Sequence, residues 1–131
     1  MKRENISSGA SWEDIAGYSR AVKKGNMIFV SGTTSVDENS RIIAPGDAYG
    51  QTRFIFSKIE KALKQAGSSM SDVVRTRMFV TDISFSDEIL KAHHEFFAEI
   101  KPAATLVEVK GLIDDNLLVE IEIDAITGEY E

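Results

Sequence analysis

Residues Asp72 to Ile83, DVVRTRMFVTDI, constrain the fold most, because a β-branched and apolar run with arginines at alternate positions fits a strand far better than a helix. On a two-residue period, Val74, Thr76, Met78 and Val80 take one face and Val73, Arg75, Arg77 and Phe79 the other. A guanidinium leaves water at high cost unless an anion compensates it. The two arginines therefore belong either on a wet sheet face or opposite carboxylates. Residues Leu117 to Ile126, LLVEIEIDAI, offer such carboxylates, with Glu120, Glu122 and Asp124 alternating against Val119, Ile121 and Ile123. Two strand faces of opposite charge are expected to meet.

The rest of the chain supplies elements around this pair. Residues 1 to 17 are polar, with Trp12 and Ile15 their only sizeable apolar residues, and read as an extended arm docked by Trp12. Tyr18 to Lys23 and Met27 to Ser31 read as a hairpin about the Gly25-Asn26 turn, the second strand apolar on both faces and so central or covered. Gly32 to Gly46 has no period and reads as the longest loop. Asp47 caps a predicted helix running to Gln65, with Gly67 as its stop, and Ser86 opens a second helix to about Ile100, closed by Pro102. Strands at Thr105 to Lys110 and Leu117 to Ile126 follow. The predicted order is β-β-α-β-α-β-β, an α+β fold with a mixed sheet and both helices on one face. The sheet's other face carries apolar residues that an oligomer would cover.

With 131 residues, 43% hydrophobic, the chain is expected to be a single domain, 1-131, able to bury one core. It has no cysteine, which removes thiolate nucleophiles, thiolate metal sites and disulfides and agrees with a cytoplasmic location. The net charge of −6 and the lack of a basic stripe argue against nucleic acid as a partner. No apolar run approaches the roughly 20 residues that span a bilayer, so no membrane association is expected.

Several residues invite a chemical reading. His93 and His94 are adjacent, so on a helix they diverge by about 100° and do not chelate together. His93 lies between Ile89 and Phe96 and reads first as a hydrogen-bonded core residue. The carboxylates of Glu120, Glu122 and Asp124 stand close enough to raise one another's pKa. SGTTSVD has no phosphate-loop lysine at the required spacing, and Ser31 has no evident base, so it is taken as a hydrogen-bonding group rather than a nucleophile.

GYSRAV, MIFVSGTT, DVVRTRMFVTDI, AHHEFF, KPAATLVEV and LLVEIEIDAI, in that order and over nearly the whole chain, resemble the Rid family, also called YjgF-like or reactive intermediate deaminases. The resemblance implies a chorismate-mutase-like fold, a homotrimer and a small-molecule cleft between neighbouring subunits. It implies hydrolysis of enamine or imine intermediates to a keto compound and ammonium, with no cofactor and no metal. Matched residue by residue, Tyr18 is the cleft tyrosine, Ser31 the strand-end serine and Glu122 the acidic residue on the last strand, the catalytic candidate. The family's substrate-binding arginine follows a Pro-Ala pair, and Ala104 stands there, followed by Thr105; the usual helix asparagine is Leu90. The chain thus resembles a subgroup without that arginine. Arg77 is the expected substitute cation, either gripping an anionic ligand or pairing with Glu108 or Glu122. Tyr18, Ser31, Arg77, Thr105 and Glu108 are the substrate-binding candidates. The alternative functions are a non-catalytic metabolite-binding module and, behind it, an endoribonuclease.

Overall fold

The structure, a computed structural model, describes residues 1–128. Six strands form one mixed sheet: β1 (Arg3–Ile6), β2 (Ala21–Lys24), β3 (Met27–Thr33), β4 (Val73–Val80), β5 (Ala103–Glu108) and β6 (Val119–Ile126), in the spatial order β1-β2-β3-β6-β4-β5. Helices α1 (Ser11–Ala16), α2 (Ala48–Gln65) and α3 (Ser86–Phe97) complete it. Every neighbouring pair is antiparallel except β4 and β5, which run parallel because α3 carries the chain back across the sheet.

The α+β class, the mixed sheet and the two long helices agree with the sequence reading. Asp47 caps α2 by accepting from Gly50 N at 3.0 Å. Gly67, at φ 78°, ends it, while Ser68 N reaches back to Leu63 O at 2.8 Å. The inner stripe of α2 (Ile55, Phe56, Ile59 and Leu63) is wholly buried against Ile28, Val30, Met78, Val80, Ile121 and Ile123 of the sheet. Each such side chain contributes about 1.5–3 kcal/mol by leaving water.

Two expectations about these elements are corrected. The N-terminal arm is not extended: it contains β1 and α1, adding two elements to the predicted order, and Trp12 is 60% exposed. Glu13 is buried there instead, because Ser7 Oγ (2.9 Å), Ser8 N and Ser8 Oγ all donate to its carboxylate. The alternation expected at the start of β4 is reversed, with Val73 buried and Val74 exposed. The cause is a bulge: Val73 pairs with Ala125 and Arg75 with Asp124, so Val74 is an extra residue. The loop after β3 is also tied down, since Val36 and Ile42 bridge and Lys58 Nζ donates to Thr34 O (3.0 Å) and Val36 O (2.8 Å).

Candidate functional site

The uncovered face of the sheet collects most of the candidates, and strand register decides which. Arg77 stands between Glu122 on β6 and Thr105 on β5. Its Nη1 lies 3.5 Å from Glu122 Oε2 and 3.2 Å from Asp124 Oδ2. The opposite charges expected on β4 and β6 do meet, and Glu122 is held from one side by a cation while its side chain stays 38% exposed. Arg77 is correspondingly engaged by two carboxylates, which leaves less of its charge for a ligand.

Glu108 does not join them. The parallel register puts it opposite Val80, on the helix-covered side, where its Oε1 accepts from Ile83 N at 2.9 Å. Thr105 and Glu108 are three residues apart, and an odd spacing on a strand separates two side chains onto opposite faces. The pairing of Arg77 with Glu108 is therefore corrected, and Asp124 takes that place.

Across β6 from Arg77, the register with β3 slips between Val30, paired with Ile123, and Thr33, paired with Ile121. Ser31 and Gly32 thus both face Glu122, a bulge that re-aims the end of β3. The glycine makes room for a carboxylate: a Cβ on Gly32 would lie 2.2 Å from Glu120 Oε2, so any side chain there would make the end of Glu120 shift. Ser31 Oγ donates to Ser19 O at 2.7 Å, which fixes the hydroxyl and leaves its oxygen as an acceptor. Behind this bulge lies Arg20, a residue the sequence reading passed over. It is buried, its Nη2 donates to Gly32 O at 2.7 Å, and its guanidinium stands 5.8 Å from the Tyr18 ring centroid.

Tyr18 is 41% exposed and lines an open groove of about 510 Å³ with Ser31, Ser19, Glu13, Asp14 and Arg3. Burial pushes Glu13's carboxyl up, but hydrogen bonds from Ser8 and Ser7 and the Arg20 charge outweigh it and hold the group below the usual carboxylate range. Glu13 is the second residue sequence reasoning missed; the Ser-Ser pair five and six positions before it was the available signal. Burial pushes Glu120 above the usual range, with Arg20 opposing the rise and Glu122 adding to it.

A second, smaller concavity of about 290 Å³ opens at the C-terminal end of α3, lined by Leu90, His93, His94, Phe97, Ala98 and Lys101. His93 is held there: its Nε2 shares a 2.9 Å hydrogen bond with Thr76 Oγ1, and its ring packs 4.8 Å from Phe97 and 5.8 Å from Phe56. Thr76 is in register with Ala104 on β5. Burial, and then the neighbouring His94, lower the His93 pKa and favour the neutral ring. Among the described residues no group of three or more His, Asp or Glu side chains converges as a metal site would, and no helix is long and apolar enough to cross a membrane.

The six-stranded mixed sheet with its three helices has the YjgF-like fold. The sequence profile described as Endoribonuclease L-PSP matches residues 9–127, and the chain belongs to this family, whose members include the YjgF, RutC and Rid proteins. The chain is 35% identical to a 3-aminoacrylate deaminase RutC of Acinetobacter baylyi over 121 residues, 92% of this chain and 95% of that one. A YjgF/YER057c/UK114-family structure from Mycobacterium tuberculosis superposes with a TM-score of 0.87 at 44% identity, covering 96% of this chain and all of that one. A Rid-family protein of unknown function from Yersinia pestis superposes with a TM-score of 0.85 at 28% identity, with the same coverage.

Proposed function

We propose that this protein is a cytoplasmic homotrimer that hydrolyses enamine or imine intermediates in clefts between subunits, with protein groups alone positioning the water. The observation that carries this reading is Glu122: part-exposed, steadied by Arg77 and set opposite the Ser31-Gly32 bulge, in a chain whose relatives include a 3-aminoacrylate deaminase. Glu122 accepts a hydrogen bond from water and takes its proton as the water oxygen bonds to the imine carbon. With the imine protonated at nitrogen, the attack leaves a neutral carbinolamine. Its nitrogen receives that proton from Glu122 and departs as ammonia while the hydroxyl proton passes back to the Glu122 carboxylate, leaving a carbonyl. Glu122 then gives this proton to ammonia as it leaves as ammonium. Tyr18 and Ser31 orient the substrate, and Thr105 lines the cleft beside Arg77, whose role becomes that of holding Glu122.

A second reading, a metabolite-binding module without turnover, is favoured by the engagement of Arg77 with two carboxylates beside an alanine at position 104. Ribonuclease action, which the family's descriptive name suggests, fits poorly with a net charge of −6. The test is the rate of loss of imines generated in place from neutral, acidic and basic amino acids by an oxidase. Wild type is expected to accelerate loss and Glu122→Ala to abolish the acceleration; no acceleration with any side chain would leave the binding module standing.

A further inference from the structure

We propose that Arg20 is a positioning residue of the site: without lining the groove, it fixes the Ser31-Gly32 bulge and the Tyr18 ring, and so sets how the groove holds a substrate. The inference deepens the functional reading above and rests on it for the part of Tyr18 and Ser31 in substrate orientation.

The place of Arg20 follows from the ladder. Ser31 N donates to Arg20 O at 3.0 Å, which carries the pairing of β2 with β3 one residue past Ala21 and Val30. Ala21 is wholly buried under the helices, so its neighbour Arg20 turns to the open face, as does Val22, which lines the groove with Tyr18 and Ser31. No helix covers that face, yet Arg20 is only 9% exposed.

A guanidinium buried for the sake of the fold is ordinarily paired with a carboxylate. Arg20 forms no ion pair among the described residues, and its Nε is buried without a partner. Glu13 and Glu120 feel its charge, and neither pairs with it directly. A donor left in this state costs stability, so the fold alone gives little reason to keep an arginine here.

What Arg20 does hold is the wall of the groove. Three hydrogen bonds join residues 19–20 to residues 31–32: Ser31 N to Arg20 O, Ser31 Oγ to Ser19 O at 2.7 Å, and Arg20 Nη2 to Gly32 O at 2.7 Å. Only the last depends on the side chain at position 20, and it is charge-assisted, the stronger kind. The same guanidinium lies over the Tyr18 ring at 5.8 Å, within cation–π range. A planar guanidinium can donate in its plane while its face meets an aromatic ring. The Tyr18 hydroxyl has no hydrogen-bond partner among the described residues, so the ring is oriented by packing and by Arg20.

The experiment compares Arg20→Met and Arg20→Lys with wild type in imine hydrolysis, the imine supply being varied to separate KM from kcat. Arg20→Met should raise KM about tenfold, the loss of one charge-assisted contact, while kcat, which depends on Glu122, stays within about threefold. Arg20→Lys keeps the charge and a donor for Gly32 O and should recover most of the loss. Arg20→Gln, uncharged but able to donate, replaces Arg20→Met if that variant does not fold, with a rise in KM of about threefold expected. A purely structural role would lower the melting temperature and leave KM unchanged, and that result overturns the assignment; so does a fall in kcat alone. Amide hydrogen exchange at residues 31–33 needs no turnover: Arg20→Met should speed it about tenfold against the amides of β6, and Arg20→Lys should not. Unchanged exchange overturns the assignment with or without activity. Absence of hydrolysis by wild type, with exchange sped in Arg20→Met, overturns the functional reading and upholds Arg20 as the group that sets the groove.

Discussion

The two faces of β6 make different demands on one strand. On the covered face Val119, Ile121, Ile123 and Ala125 are at most 1% exposed and pack under the helices. On the open face Glu120, Glu122 and Asp124 are only part-buried, flanked in register by Phe29, Arg75 and Arg77. Side chains two residues apart share a fate and neighbours do not, so substitutions that alternate along this strand should alternate between folding and function. Stability comes from one side and the proposed chemistry from the other; of the two bulges that flank β6, the one in β3 re-aims the open face, while the one in β4 also turns Val73 into the core.

The strongest way to break this comparison is on the covered face. Ile121→Ala removes a wholly buried side chain and should cost about 2–5 kcal/mol of unfolding free energy in urea, a range set by how far the cavity collapses. A loss below about 1 kcal/mol would mean the core does not rest on β6. Arg77→Met tests the open face. Its ion pairs are more than a quarter exposed, so their loss should cost about 0–1 kcal/mol in the same assay. The same variant frees Glu122, and imine hydrolysis should fall by about tenfold, since a positioned acid or base contributes about 10²–10⁴-fold and only its positioning is lost.

The smallest effect is expected at Glu120, where the sign follows from the direction of its pKa. Burial raises the folded-state value above the unfolded one near 4.5, so the folded protein holds that proton more tightly. The associated stability is present below the unfolded pKa and disappears as pH rises through the folded one. Glu120→Gln should therefore gain stability on wild type between pH 4 and pH 7, read as diverging melting temperatures; parallel curves would refute the assignment.

Much of this was legible in the sequence, and the rest was hidden for identifiable reasons. The alternation of LLVEIEIDAI announced both faces of β6, because a strand exposed on one side must repeat every two residues. Asp47 and Gly67 marked both ends of α2 through ordinary capping chemistry. The bulges at Val74 and at Ser31-Gly32 were not legible, since an extra residue in a ladder depends on a partner strand remote in sequence. Trp12 misled because size was taken for burial, whereas Glu13 is buried by three donors that lie within six residues of it. Glu108 was excluded as a neighbour of Thr105 by parity alone, a signal present in the sequence and not used.

The account stands or falls on Glu122 as the carboxylate that activates water. The direct measurement is the rate of loss of oxidase-generated imines with Glu122→Gln beside Glu120→Gln, two isosteric changes on one strand face. The account predicts about a 10²-fold loss or more for Glu122→Gln and a rate within about twofold of wild type for Glu120→Gln. Equal losses in the two variants, or full activity in Glu122→Gln, would contradict it.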